Sequence, residues 1–186
     1  MPAKIVFDKE MVANAAMEII EESGTEALNA RSLAKKLGCS TQPIYLRYPD
    51  MEAVKIAADE KISAVYAGYL DKGLKSRESL FEGYLSAYVN FAREKPKLFA
   101  FKFMRNVGEK QLSADKTSEI IIAKIRSISG YTQEQAEKFF FSAWFFAHGI
   151  ACQIATEYIK WSEADVDEFL AESFTAFKNY FGRKDK

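Results

Sequence analysis

A short run of polar and aromatic residues, GCSTQPIYLRY, holds the most specific chemistry near the N-terminus. The hydroxyls of Ser40 and Thr41 can donate hydrogen bonds to phosphate oxygens. The carboxamide of Gln42 carries a donor and an acceptor that can read a base edge, and Tyr45 suits a phosphate or a thymine methyl group. These residue types in this order favour a contact with nucleic acid, with Gln42 as the expected base reader.

The distribution of charge supports the same interpretation. Between Ala27 and Pro49 the chain has no acidic residue and four basic ones, although both flanks are acidic: Arg31, Lys35, Lys36 and Arg47. Phosphate can approach such a segment without repulsion between like charges. The whole chain carries 26 basic and 26 acidic residues, so any contact with nucleic acid must be local.

The segment around this run has the capping and turn residues expected of two short helices joined by a tight turn. Asn29 is a suitable N-cap, Gly38 can adopt a left-handed turn, and Ser40 can cap a second helix that reaches about Tyr48. Pro43 fits the first turn of that helix, because the amides there have no intrahelical acceptors. This arrangement is typical of a helix-turn-helix, whose second helix enters the major groove. The predicted contact residues are Arg31, Ser40, Thr41, Gln42, Pro43, Tyr45, Leu46, Arg47 and Tyr48.

Helical periodicity extends over the rest of the chain, and no alternating strand pattern occurs. Asp8 and Asp50 are the expected N-caps of the first and fourth helices, which end before Gly24 and Gly73. Five more helices are predicted, over 76–94, 96–104, 113–129, 132–159 and 162–181. The fold class is therefore all-α with about nine helices: a helix-turn-helix domain over 1–50 and a helical domain over 51–186.

Residues 139–156 carry no charged side chain, and their length approaches that of a membrane span. Polar residues such as Ser142, His148 and Gln153 interrupt the stretch, so a helix covered on two sides in a soluble protein explains it better. One subunit supplies only part of that cover, which predicts a partner subunit.

Other chemistry is sparse. Cys39 and Cys152 are far apart and share the chain with one histidine, His148, so no Cys/His zinc site is expected, and a reducing cytoplasm is the natural setting. No cofactor motif or catalytic constellation is present, which argues against an enzyme. The alternative to a nucleic-acid-binding protein is a helical protein-interaction module that uses its aromatic C-terminal half.

The run from Asn29 to Met51, NARSLAKKLGCSTQPIYLRYPDM, resembles the recognition segment of the tetracycline-repressor (TetR) family. The resemblance places Leu33, Ala34 and Leu37 in the core of the helix-turn-helix domain. Tyr45 and Tyr48 match a YxxF-like signature, with Tyr48 where the family usually has Phe. The resemblance is good over residues 8–70 and extends to the remainder only in helix count and arrangement.

The resemblance implies a transcriptional regulator, expected to act as a repressor on double-stranded operator DNA. It implies a homodimer through the last two helices, 132–181, with recognition helices ~34 Å apart. It also implies a small apolar or aromatic effector. The residues predicted to line its pocket are Tyr84, Tyr88, Phe99, Phe103, Trp144, Phe145, His148 and Cys152. Aromatic residues at helical spacing also serve simple packing, and this alternative stays open for each of them.

Overall fold

A computed structural model describes residues 7–76, 79–105 and 116–182, which fold into α-helices without a strand in these ranges. The nine α-helices are α1 Lys9–Ser23, α2 Ala30–Leu37, α3 Gln42–Tyr45, α4 Met51–Ser76, α5 Leu80–Glu94, α6 Pro96–Phe103, α7 Lys116–Ser129, α8 Gln133–Ala155 and α9 Glu163–Phe181. A short 3-10 helix, Thr25–Ala27, follows α1. The predicted all-α class with about nine helices is confirmed.

Three predicted helix starts are capped as the sequence indicates. Asp8 Oδ1 accepts the amide of Met11 at 2.7 Å, and Asp50 Oδ1 accepts the amide of Ala53 at 2.8 Å. Asn29 Oδ1 accepts the amide of Ser32 at 3.0 Å. Each carboxylate or carboxamide satisfies a first-turn amide that has no acceptor within its helix.

Helix α3 differs from its prediction at both ends. Its N-cap is Thr41 rather than Ser40, and the Thr41 side chain makes no capping hydrogen bond. The backbone of Thr41 is already helical, whereas a capping side chain normally reaches back from an extended backbone. The helix ends at Tyr45 rather than near Tyr48, and Pro49 disfavours helical geometry in the residue before it.

Helix α4 was predicted to end before Gly73, but it continues to Ser76. A Cβ atom on Gly73 would lie 2.5 Å from the carbonyl oxygen of Gly83, so this glycine serves a close helix crossing rather than a helix end. Helix α5 consequently begins at Leu80 rather than at residue 76.

Helix α8 was predicted to reach residue 159 and ends at Ala155. The hydroxyl of Thr156 donates to the carbonyl of Cys152 at 2.7 Å, and Glu157 adopts a φ of 54°. A left-handed residue of this kind does not continue a right-handed helix. Residues 113–115, where α7 was predicted to begin, lie outside the described residues.

The first of two compact units comprises residues 1–68 and 94–105. Helix α1 contacts α2 and α6 in this unit. Its core is built from fully buried aliphatic side chains on α1, α2, α3, α4 and α6: Val12, Ile20, Leu33, Ile44, Val54, Ile62 and Leu98. The short α2 and α3 are therefore supported by the longer helices of the same unit.

The second compact unit comprises residues 69–93 and 106–186. Helix α8 contacts α7 and α9 within it, and the core is rich in aromatic rings. Among its buried side chains are Phe81, Tyr88, Phe91, Ile121, Phe139, Phe140 and Val166. This division differs from the predicted boundary after residue 50, which stays a prediction. In the described ranges, no helix combines the length and the hydropathy that a membrane crossing requires.

Candidate nucleic-acid interface and effector-binding residues

The turn between α2 and α3 is fixed by local contacts. The side chains of Asn29 and Ser32 form a reciprocal capping box at the start of α2. Gly38 ends that helix in the left-handed conformation, with φ 67° and ψ 33°. This conformation has a low free-energy cost for glycine, because glycine has no Cβ atom. Leu33 and Ile44 are fully buried and attach both helices to the core of the unit.

The outer face of α3 presents several of the predicted contact residues to solvent. Tyr45 is 48% exposed and Leu46 is 73% exposed, a large fraction for a leucine. Gln42, Ser40 and Arg31 are exposed as well, whereas Thr41 and Pro43 are half-buried. Exposed apolar side chains next to polar ones are what a surface needs for thymine methyl groups and base edges.

Two other predicted contact residues hold the end of α3 against the N-terminus of the described chain. Arg47 is exposed, but its Nε donates to the carbonyl of Phe7 at 2.6 Å. The hydroxyl of Tyr48 donates to the carbonyl of Lys9 at 2.9 Å, and its ring is buried. Burial is also the main reason that the pKa of the Tyr48 phenol is raised. Both side chains can thus orient α3 from behind.

The four basic residues of the segment differ in their partners. Lys36 lies 2.8 Å from a carboxylate oxygen of Glu22 and 3.1 Å from one of Glu18, and the hydrogen bond to Glu22 is the largest cause of its raised pKa. Arg31 and Lys35 are exposed and take part in none of the ion pairs found among the described residues. They are the cations of this segment best placed for phosphate.

Four of the predicted pocket residues come together in the second unit. The hydroxyl of Tyr88 shares a hydrogen bond with Nδ1 of His148 at 2.7 Å, and Nε2 of His148 lies 3.4 Å from Sγ of Cys152. The indole of Trp144 stacks on the imidazole at a centroid distance of 5.2 Å. The sequence indicated only that His148 and Cys152 share a helical face.

The groups of this cluster are held in their neutral forms. Burial lowers the pKa of His148, so that its imidazole is uncharged at neutral pH. Burial likewise raises the pKa of the Cys152 thiol and of the Tyr88 phenol. A neutral cluster of donors and acceptors beside an indole ring suits an uncharged polar group on an otherwise apolar ligand.

The other four predicted pocket residues differ in their contacts, and of these Phe145 lies beside Trp144 with a centroid distance of 5.2 Å. Tyr84 contacts Ser118 Oγ at 3.4 Å through its hydroxyl and packs against Phe140. Phe99 and Phe103 belong to the first unit, where their rings are 5.2 Å apart. Phe145 is 53% exposed. Within the described ranges, no three His, Cys, Asp or Glu side chains are arranged to hold a metal ion.

An aromatic cleft lies on the surface formed by α8 and α9. It is an open cleft of about 590 Å³, and its lining residues are Glu134, Glu137, Lys138, Phe141, Ser142, Phe145, Tyr180 and Phe181. Tyr180 is largely exposed, as are Phe146 and Phe169 on the same two helices. We call these exposed rings and the cleft the α8–α9 aromatic surface. Exposed apolar surface of this kind commonly marks a contact with another protein chain.

Comparison with known proteins agrees with this architecture. Residues 81–177, slightly more than half of the chain, match a family model described as the tetracyclin repressor-like C-terminal domain. A TetR family transcription regulator from Marinobacter aquaeolei VT8 has a similar structure, with a TM-score of 0.64, 14% sequence identity and coverage of 90% of this chain and 94% of that chain. At this identity the likeness shows the fold. No curated protein matches the sequence.

The fold and the arrangement of its helices define an all-α protein with the fold of that neighbour. The chain belongs to the tetracycline-repressor-like (TetR) family, as the match over residues 81–177 shows. The family that the resemblance of residues 29–51 implied is therefore confirmed, while the recognition role of that segment stays a prediction.

Proposed function

We propose that the chain is a sequence-specific operator-binding regulator that acts as a repressor in the cytoplasm, where its target DNA lies. The observation that carries this proposal is the outer face of α3. Gln42, Tyr45 and Leu46 project to solvent from a helix that is anchored behind by Arg47 and Tyr48. Gln42 would read a base edge, and Tyr45 and Leu46 would contact thymine methyl groups or sugar. Arg31 and Lys35 would neutralise phosphates at the flanks.

A homodimer through residues 132–181 completes the proposal. The α8–α9 aromatic surface exposes Phe145, Phe169 and Tyr180, and a second copy of the same surface would cover these rings. Ala143 and Ala147 on α8 are fully buried within one subunit, so the exposed rings, not these small residues, would form the contact. Two-fold symmetry would place two recognition helices about one DNA turn, ~34 Å, apart, so the operator should be palindromic.

A small effector would regulate operator binding. Tyr88, Trp144, His148 and Cys152 offer an aromatic wall and neutral hydrogen-bonding groups, which suit a predominantly apolar ligand with one polar group. Binding of the effector to one conformation of the regulator would change its affinity for DNA through linkage between the two sites. Repression follows from steric logic, since a dimer on an operator blocks polymerase without an activation surface.

The test is a selection of binding sites from a random double-stranded DNA library, followed by anisotropy titrations at several salt concentrations. We expect a palindromic consensus, a steep loss of affinity with salt and a loss of roughly tenfold or more in Tyr45→Ala. Tyr158→Ala is the matched control, because Tyr158 is also an exposed tyrosine but lies in the second unit. Its affinity for DNA should be unchanged.

The second candidate is a helical protein-interaction module, which the α8–α9 aromatic surface favours. If no site is enriched and Tyr45→Ala binds DNA as wild type does, the operator-binding function is wrong and this module is the better hypothesis. Loss of dimer in a Phe145→Ala, Tyr180→Ala double variant, measured by sedimentation, would then identify a second copy as the occupant of the surface.

A further inference from the structure

Two cations at the end of α6 share a single carboxylate on α4 within the first unit. Nζ of Lys102 and Nη2 of Arg105 each lie 3.7 Å from Oδ1 of Asp59. This separation is too long for a good hydrogen bond. The three side chains together carry a net charge of +1.

The guanidinium of Arg105 is held in place while one of its donors, Nε, has no acceptor among the described residues. Its Nε is buried and has no hydrogen-bond acceptor in the part of the chain that the structure describes. Its Cζ lies 4.4 Å from the ring centroid of the buried Phe101, a cation–π contact that fixes the plane of the group. A buried N–H without an acceptor is unfavourable, and an oxygen ligand that reached it would remove this cost.

The cluster is open to a solute from the surface. The side chains of Lys102, Arg105 and Asp59 are 17%, 31% and 32% exposed. They are thus accessible but partly removed from water, where attraction between charges is stronger than in bulk solvent. Nζ of Lys102 is also fixed by a 2.7 Å hydrogen bond to Ser63 Oγ.

Aromatic rings lie beside the charges. The Lys102 ammonium is 5.7 Å from the ring centroid of Phe103, which packs edge-on against Tyr66 at 5.4 Å. Phe103 also contacts Phe99, so two residues that the sequence nominated for an effector pocket belong to this neighbourhood. Its chemistry is therefore cationic on one side and aromatic on the other.

We propose that Lys102 and Arg105 form a binding site for a small organic monocarboxylate with an aromatic or other apolar tail. One negative charge would balance the excess positive charge of the cluster. The fork of the Arg105 guanidinium matches the two oxygens of a carboxylate, and Lys102 can donate a further hydrogen bond. The tail would pack against the half-buried ring of Phe103. Asp59 would compete with the ligand for the same two cations.

This site would give the proposed regulator a class of ligand, small organic monocarboxylates. In that respect the inference rests on the proposed function. Because Asp59 lies on α4, a carboxylate that replaces it would weaken the tie between α4 and the end of α6. The binding step itself needs no DNA. Ligand binding and operator binding can therefore be measured separately, and either can fail without the other.

The experiment is calorimetric titration of the purified full-length chain, without DNA and at constant ionic strength, with benzoate, acetate or inorganic phosphate. We expect benzoate to bind more tightly than acetate or phosphate. Arg105→Gln and Lys102→Gln should each lower the affinity for benzoate roughly tenfold, the loss expected for a hydrogen bond between charged groups. Asp59→Asn should raise the affinity, because it removes the competing carboxylate.

Lys97→Gln is the matched control, because it removes the same charge from an exposed lysine near the start of α6. Its affinity for benzoate should equal that of wild type, and circular dichroism checks that every variant is folded. The proposal is overturned if benzoate does not bind wild type, if phosphate binds as tightly as benzoate, or if Asp59→Asn weakens binding. An equal loss in Lys97→Gln overturns it too, since the effect would then be one of general surface charge. If Arg105→Gln does not fold, the direction of the change in benzoate affinity in Asp59→Asn and in Lys102→Gln decides whether the proposal holds.

Discussion

The turn between α2 and α3 and the aromatic core of the second unit are fixed by contacts between residues at very different separations along the chain. In the α2–α3 segment, a capping box between Asn29 and Ser32 and a left-handed Gly38 fix the geometry within a few residues. In the second unit, Tyr88 meets His148 from another helix 60 positions further along the chain. Short-range contacts leave side chains free to face solvent, whereas long-range packing encloses them. The first arrangement suits contact with a large polymer and the second suits a small ligand.

The largest expected effect tests this difference through stability. Phe140 is buried among Phe81, Tyr84 and Phe141, so Phe140→Ala should lower the free energy of unfolding by about 3–5 kcal/mol. Tyr45→Ala, on the exposed face of α3, should change it by no more than about 0.5 kcal/mol. Urea titration at one protein concentration measures both. Equal losses would mean that α3 is as tightly packed as the aromatic core.

A smaller loss is expected at the close crossing of α4 and α5. A Cβ atom on Gly83 would lie 2.5 Å from the carbonyl oxygen of Gly73, so Gly83→Ala should cost about 1–3 kcal/mol of stability. The matched control is Gly68→Ala on α4, where an added Cβ meets nothing within 4 Å. That variant should gain up to about 1 kcal/mol from the helix propensity of alanine. A gain in both variants, measured by thermal unfolding, would contradict the close crossing.

Base preference gives an effect of similar size in the α2–α3 segment. Gln42→Ala should lose about 1–3 kcal/mol of discrimination at one base pair of each half-site.

Arg31→Ala should instead weaken binding to all sequences and reduce the salt slope by about one. Arg47→Ala should weaken binding and also lower the melting temperature, because Arg47 donates to the carbonyl of Phe7. Unchanged preference in Gln42→Ala would remove it as the base reader.

The smallest expected effect is a pH dependence of stability from the core of the second unit. Burial lowers the pKa of His148 in the folded chain, so the unfolded chain binds more protons below its ordinary value of about 6.5. The stability from the neutral imidazole is thus present at neutral pH and is lost as the pH falls from about 6.5 through the folded pKa. His148 is the chain's one histidine, so the melting-temperature difference between wild type and His148→Gln isolates it. We expect the melting temperature of wild type to fall relative to that of His148→Gln as the pH is lowered from 7.5 to 5.5. A constant difference would contradict the lowered pKa of His148.

Local patterns predicted those parts of the fold that depend on neighbouring residues. Asp8, Asn29 and Asp50 cap helices as predicted, because a cap needs only a side-chain oxygen and the amides of the next turn. Gly38 adopts the left-handed conformation for an equally local reason, which is that glycine has no Cβ atom. At α3 the N-cap is Thr41 rather than the predicted Ser40, and its helical backbone leaves its side chain without a capping hydrogen bond, because a side-chain type does not report backbone angles.

The partners of charged and polar side chains could not be predicted from the sequence. Lys36 is one of the four basic residues of the segment, and the sequence did not indicate that Glu18 and Glu22 of α1 lie beside it. The cluster of Asp59, Lys102 and Arg105 had no signal in the sequence, because nothing in a pattern of separate helices says which faces meet. The grouping of Tyr88 with Trp144, His148 and Cys152 likewise needed the packing of α5 against α8.

The sequence by itself determined the all-helical class, most helix starts and the turn before α3, since periodicity, caps and glycine act over a few residues. Only the tertiary structure decided that Gly73 continues a helix and that Arg47 and Tyr48 anchor α3 from behind. It also decided that Lys36 pairs with Glu18 and Glu22, whereas Arg31 and Lys35 form no ion pair within the described part of the chain. Those outcomes depend on which distant surfaces come into contact, and the free energy of that contact is a property of the whole packed unit. A sequence pattern shows which helix faces are apolar and can pack, but only the tertiary structure shows which of these faces pack against each other.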